Sequence, residues 1–253
     1  MPSRDEYFSH LERLKGRPGE KFQTHLVRGY LRRICQETNF KDIQETSVFE
    51  IGPGAGRFAT QALMTGFKYS CTEITKSMRD QLRLIYENFD NARHLYDFKI
   101  PGAPKSLHNN FNAVVAIHVF EHNLNHQDAR NFLVDCFDLL EPGGTVVILC
   151  PDYQSYGYMF WNVDWSHGFP PTGNRVRSIL TDVGFHDVKV VGIRGIWSSP
   201  LPKILLMLVD KIFPVRSLDL LIEKLFGVEM LATGLSVAYF KRNLWATATK
   251  PLD

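Results

Sequence analysis

Apolar residues along this chain fall into two periods, and the two alternate. Short runs at 47–51, 68–73, 92–97, 111–117 and 145–149 read as strands bounded by glycine, proline or polar residues. Segments of helical spacing follow them at 57–65, 76–88 and 128–140. A further helix ends at Val183, and a sixth strand is expected at 188–191. The stretch 111–117 is nearly all apolar, as a strand covered on both faces must be. Repeated strand-then-helix units predict an α/β fold with a doubly wound parallel sheet. Gly66 after the first helix and Thr75 before the second supply a stop and a start.

The flanks have a different pattern. Residues 1–46 are mixed and charged, with Phe22, Leu26, Leu31 and Ile34 on one face of a helix over 21–38. A shorter helix is expected at 7–15, and together they form cap helices ahead of the first strand. Tyr7 or Arg17 could close over a ligand. Residues 194–240 hold two segments rich in Leu and Ile, 200–213 and 215–226, expected as a helical lid insertion. The apolar surface of 200–227 could instead meet lipid or a partner protein. A last strand is expected at 244–249. The division is therefore 1–46 cap, 47–193 core, 194–240 lid, and 241–253 as the strand completing the sheet.

Composition narrows the function classes. At 253 residues the chain fits one large α/β domain with an insertion. Net charge is +2, with no basic tract, so no nucleic-acid partner is expected. Cys35, Cys71, Cys136 and Cys150 are widely spaced and read as free thiols of a reducing compartment. The polar N-terminus and the lack of an 18-residue apolar run point to a cytoplasmic protein with no transmembrane segment. The oligomeric state is not legible in the sequence.

The chemistry concentrates at Glu50-Ile51-Gly52-Pro53-Gly54-Ala55-Gly56-Arg57. An apolar strand runs through an acid into three alternate glycines, and then a helix begins. Glycine lets the backbone turn tightly and lets a ligand lie against bare peptide. A helix N-terminus adds unpaired N–H groups. The dinucleotide fingerprint is G-x-G-x-x-G, and here the third glycine comes one residue early. An NAD-type oxidoreductase is therefore the alternative reading. Glu73 stands about 20 residues beyond, at the carboxyl end of the next strand, where a carboxylate can accept from both hydroxyls of a ribose.

E-x-G-x-G-x-G resembles motif I of the class I S-adenosylmethionine (SAM) dependent methyltransferases. Two more segments resemble that family: His118-Val119-Phe120-Glu121-His122 after the fourth strand, and Glu141-Pro142-Gly143-Gly144 before the fifth. The first is similar to the H-V-x-E-H block of small-molecule and sugar methyltransferases. The resemblance covers about 47–192 and the last strand. It implies a Rossmann-like, seven-stranded sheet of order 3-2-1-4-5-7-6, with the last strand antiparallel. It also implies SAM as cofactor and S-adenosylhomocysteine as product.

On the resemblance, Glu50, Gly52, Gly54, Gly56, Glu73, Ile74, Met78, Asp97, Phe98 and His118 are the cofactor-binding residues. Asp97 would meet the adenine amino group, with Phe98 beside the ring, and Ile74 and Met78 would flank the base. The aromatic stretch 151–171 resembles the family's acceptor-bordering loop. Candidate bases are His118, His122, Asp152, Asp164 and His167, with His167 and His118 taken as catalytic. The implied reaction is methyl transfer to a small-molecule acceptor, a hydroxyl of a sugar, lipid-linked or secondary-metabolite substrate. A non-catalytic SAM-binding or partner-binding protein of the same fold is the further alternative. The 118–122 block also resembles the E-x-x-E-H metal site of ubiquinone-type O-methyltransferases. His118 replaces its first acid and suits magnesium poorly, so no metal is expected.

Overall fold

The structure is a computed structural model that describes residues 20–38, 40, 42–194 and 241–252. Seven strands form one sheet: β1 (Ser47–Ile51), β2 (Lys68–Thr72), β3 (Ala92–Tyr96), β4 (Phe111–Ile117), β5 (Leu140–Pro151), β6 (His186–Arg194) and β7 (Arg242–Thr249). Their order is β3-β2-β1-β4-β5-β7-β6. β1 to β5 run parallel, and β7 is antiparallel to both β5 and β6.

Period-two alternation divides the core into two layers. Phe49, Ile51, Val114, Ala116, Val146 and Ile148 face one layer. Val48, Ala113, Val115, Val147, Leu149 and Trp245 face the other. Neither face of the central strands meets water, which is why they read as continuous apolar runs. The second layer is covered by α1 (Glu20–Glu37) and α2 (Arg57–Thr65), with Leu82 of α3 (Lys76–Tyr86). The first is covered by α4 (His126–Leu139) and by Val176 and Leu180 of α7 (Gly173–Val183).

Helix α1 buries Val27, Leu31 and Ile34, a stripe shifted by one position from Leu26. It is tied down by Arg28 Nε donating to Gln61 Oε1 at 2.8 Å and by Trp245 Nε1 donating to Glu37 Oε2 at 2.7 Å. The side chain of Phe22, the helix expected at 7–15 with Tyr7 and Arg17, and residues 195–240 of the expected 194–240 lid, with its 200–227 surface, lie outside the described residues, and Arg194 itself ends β6.

Two local expectations are corrected. The segment 141–144 is not a free turn, because α4 ends at Leu139 and β5 starts at Leu140, paired with Phe111. The extra residues are absorbed as an irregularity in the ladder. Gly143 (φ 81) donates to Lys250 O, and Lys250 N donates back to Gly144 O. The stretch after β5 is not wholly irregular. It holds α5 (Tyr153–Tyr156) and α6 (Met159–Val163), with Asp152 accepting from Gln154 N at the N-cap of α5.

Candidate functional site

The glycine turn leaves β1 at its carboxyl end. Gly52, Gly54 and Gly56 all have positive φ, at 64°, 54° and 73°, a region where a Cβ is costly. Their surroundings separate their roles. A Cβ at Gly52 would meet Val119 Cγ2 at 2.8 Å, and one at Gly56 would meet Ile85 Cδ1 at 2.6 Å. Among the described residues, a Cβ at Gly54 would meet nothing within 4 Å. Gly52 and Gly56 are thus glycines for packing, whereas Gly54 presents bare backbone to open space.

Glu73 lies against this turn. Its Oε2 accepts from Gly54 N at 3.1 Å and its Oε1 from Thr75 N at 2.8 Å. The side chain is 6 % exposed. Each carboxylate oxygen keeps a further lone pair after one hydrogen bond, so the group is fixed in place and still able to accept. Thr75, at the N-cap of α3, makes no side-chain capping bond, and its own backbone N–H donates to Glu73.

The remaining cofactor candidates differ in placement. Glu50 does not reach the crevice. It is 2 % exposed, its carboxyl accepts from the Tyr69 hydroxyl, and burial pushes its pKa up to about 8. Its carboxyl is held inside the fold, between β1 and the Tyr69 side chain of β2. Asp97 is exposed just past β3, and Ile74 is 39 % exposed. Met78 is 2 % exposed in α3. Phe98 is partly buried, its ring parallel to Phe49 at 6.1 Å.

His118 follows β4 directly, with φ 55°, a conformation rare outside glycine. Such backbone persists only where its surroundings hold it, and it concentrates at functional sites. Here the next residue, Val119, abuts Gly52. His118 Nδ1 lies 3.3 Å from Glu121 Oε1, with 44 % of the imidazole side chain exposed. Glu121 is 1 % exposed, and its Oε2 has no hydrogen-bond partner among the described residues. Burial alone would raise this carboxyl's pKa. The His118 hydrogen bond and the charges of His118, His122 and His167 overcome it and hold the pKa below the usual value.

The loop after β5 folds back onto this turn. Gly168 and Phe169 N–H groups donate to Glu121 O at 3.0 and 3.1 Å. His167 is 8 % exposed and packs on Phe160 at 4.5 Å between ring centroids. Its Nδ1 donates to Phe160 O at 2.6 Å, and burial lowers its pKa. The Ser166 hydroxyl donates to Asp164 at 2.6 Å and contacts His122 Nδ1 at 2.9 Å. Ser166 and the Glu121–His122–His167 convergence were not foreseen. The signals were the separate H-V-F-E-H and D-x-x-H segments, which sequence spacing does not join.

Two candidate bases are otherwise engaged. Asp152 is 0 % exposed and paired with Arg242. Asp164 holds the turn by accepting from Ser166 N at 2.8 Å.

Comparison with known proteins agrees with this layout. The family model described as a methyltransferase domain matches residues 49–146, from within β1 to within β5. The match and the strand order together give the chain the Rossmann-like fold of class I methyltransferases. No curated protein sequence matches it. Among solved structures, a SAM-dependent methyltransferase from Archaeoglobus fulgidus is similar at TM-score 0.59 and 19% identity, covering 92% of this chain and 97% of that one. A chain from the complex of the Haloferax volcanii Trm112 methyltransferase activator with a methyltransferase gives 0.66 at 17%, covering 99% and 98%. Phosphoethanolamine N-methyltransferase 2 of Haemonchus contortus, solved with phosphomonomethylethanolamine and S-adenosylhomocysteine, gives 0.62 at 18%, covering 98% of this chain and 58% of that one. At these identities the likeness is one of fold, and the last two structures were solved with a protein activator and with a phosphorylated amine, respectively. Among the described residues, no helix is long and apolar enough to cross a membrane.

Proposed function

We propose that this chain transfers a methyl group from SAM to a small-molecule hydroxyl. The observation that carries the reading is Glu73 held at the open Gly54 backbone, at the shared carboxyl edge of β1 and β2. Ligands of open α/β sheets bind outside that edge. The site fits SAM in two respects: Gly54 leaves room for close approach, and Glu73 retains lone pairs for a ribose diol. The strand order supports the same reading, since the dinucleotide-binding order is 3-2-1-4-5-6 with no antiparallel seventh strand.

SAM, once bound, supplies an electrophilic methyl on a sulfonium, and the C–S bonding pair leaves with sulfur. The chain's own part is alignment, exclusion of water and removal of a proton. Glu121 Oε1 beside Nδ1 leaves His118 Nε2 as the nitrogen with a lone pair. His118 is thus better placed than the buried His167 to take the acceptor's proton. Exposed Tyr158, Trp161 and Trp165, at 61%, 44% and 67%, suit an apolar or aromatic acceptor.

The test is methyl transfer from labelled SAM to a panel of phenols, sugars and amines, with S-adenosylhomocysteine release as the readout. Turnover on hydroxyl acceptors supports the reading. Turnover confined to amines removes the hydroxyl, and no binding of SAM at all removes the enzyme.

A further inference from the structure

We propose that Glu121, His122 and His167 bind one divalent transition-metal ion. One ligand atom from each lies within 4.8 Å of the other two. The decisive feature is which atoms are already engaged. His167 Nδ1 faces a carbonyl, which can only accept, so that nitrogen carries the hydrogen. The Ser166 hydroxyl gives its one hydrogen to Asp164, so its oxygen accepts from His122 Nδ1. Both rings are thereby fixed as Nδ1–H tautomers, and Nε2 is the lone-pair nitrogen in each.

Metal-ligating histidines almost always donate their other nitrogen to such an oxygen, which fixes both tautomer and orientation. The third member is Glu121 Oε2, on a side chain 1 % exposed and with no partner among the described residues. An unpaired carboxylate oxygen in that position is costly, and a cation meets the need that no described side chain does. Oε1 meanwhile stays on His118.

Two imidazoles and one carboxylate suit zinc, iron, cobalt or nickel rather than magnesium, which takes oxygen ligands at octahedral spacing. The atoms must draw together slightly, because metal–ligand bonds run about 2.0–2.2 Å. Three protein ligands leave at least one coordination position for an oxygen of a substrate or water. This assignment replaces the expectation of no metal, and it selects His167 over His118 as the third ligand. It does not depend on methyl transfer, so uptake of an ion and turnover can fail separately.

The experiment is cobalt(II) titration of the chelator-treated full chain, followed by visible ligand-field absorption. The expected result is saturation at one equivalent, with intensity typical of four- or five-coordinate nitrogen–oxygen sites. Glu121→Gln and His122→Ala should each weaken binding at least tenfold, and Ser166→Ala, which keeps all three ligands, should weaken it less. His186→Ala, on β6, should leave it unchanged. Circular dichroism melts in chelator check that each variant folds. Absence of stoichiometric uptake by the wild type overturns the proposal. So does equal uptake by folded Glu121→Gln or His122→Ala. If either of those fails to fold, Ser166→Ala decides: uptake identical to wild type counts against the assignment and a weakened site supports it.

Discussion

The two halves of the crevice are built from different materials. At the ends of β1 and β2, the site is mostly backbone: Gly54 with no described neighbour at its Cβ position, and one carboxylate bonded to two N–H groups. At the ends of β4 and β5, the site is made of side chains, with Glu121 ringed by His118, His122 and His167. The first half offers shape and hydrogen bonds to a constant cofactor. The second offers lone pairs and a buried charge, the means for chemistry on a particular acceptor. Damage to the first half should therefore appear as lost binding, and damage to the second as lost turnover.

The largest effect tests that division from the acceptor side. His118→Ala should lower kcat by roughly 10²–10⁴, the range for a general base, while the SAM dissociation constant stays put. A parallel loss of SAM affinity would move His118 into the cofactor half. Next comes Gly54→Val. A branched side chain at φ 54° is strained and projects into the open space above the turn. SAM binding should weaken by on the order of a hundredfold, about 2.7 kcal/mol, measured by calorimetry. Wild-type affinity would show that the cofactor lies elsewhere. Glu73→Ala should weaken SAM by roughly 1.5–3 kcal/mol, the scale of a hydrogen bond to a charged group, with kcat at saturation little changed.

The smallest effect concerns the carboxyl held between β1 and β2. Glu50 keeps its proton to about pH 8 in the folded chain but loses it near 4.3 when unfolded. Between those values the folded state binds more protons, so this group's contribution to stability falls as pH rises. Glu50→Gln should flatten that part of the stability-versus-pH curve and leave SAM affinity within about threefold, under 1 kcal/mol. A larger loss of affinity would restore Glu50 to direct contact.

The same contrast explains what could be read from the residues. The glycine turn and Glu73 were legible because a strand, a turn and the next strand end are local in sequence, and their spacing carries the geometry. The sheet was legible because strands buried on both faces leave continuous apolar runs, as 111–117 does. The second half resisted because its partners are 44 residues apart, as with His122 and Ser166, and only folding reveals which nitrogen faces which oxygen. The surroundings of Glu50 were hidden for a related reason. A motif position says that an acid stands near the turn, but only the packing shows that its carboxyl points at Tyr69. At 141–144, proline and glycine mark a boundary ahead of a strand expected at 145–149, but exchange of hydrogen bonds with Lys250 draws the segment into the sheet.

The central claim is that bare peptide at Gly54 and the carboxylate of Glu73 together hold a SAM-type nucleoside. Side-by-side calorimetric titration of the chain with S-adenosylhomocysteine and with NAD tests it most directly. The account predicts saturable one-to-one binding of S-adenosylhomocysteine and no heat from NAD. Binding of NAD, or silence from both, would contradict it.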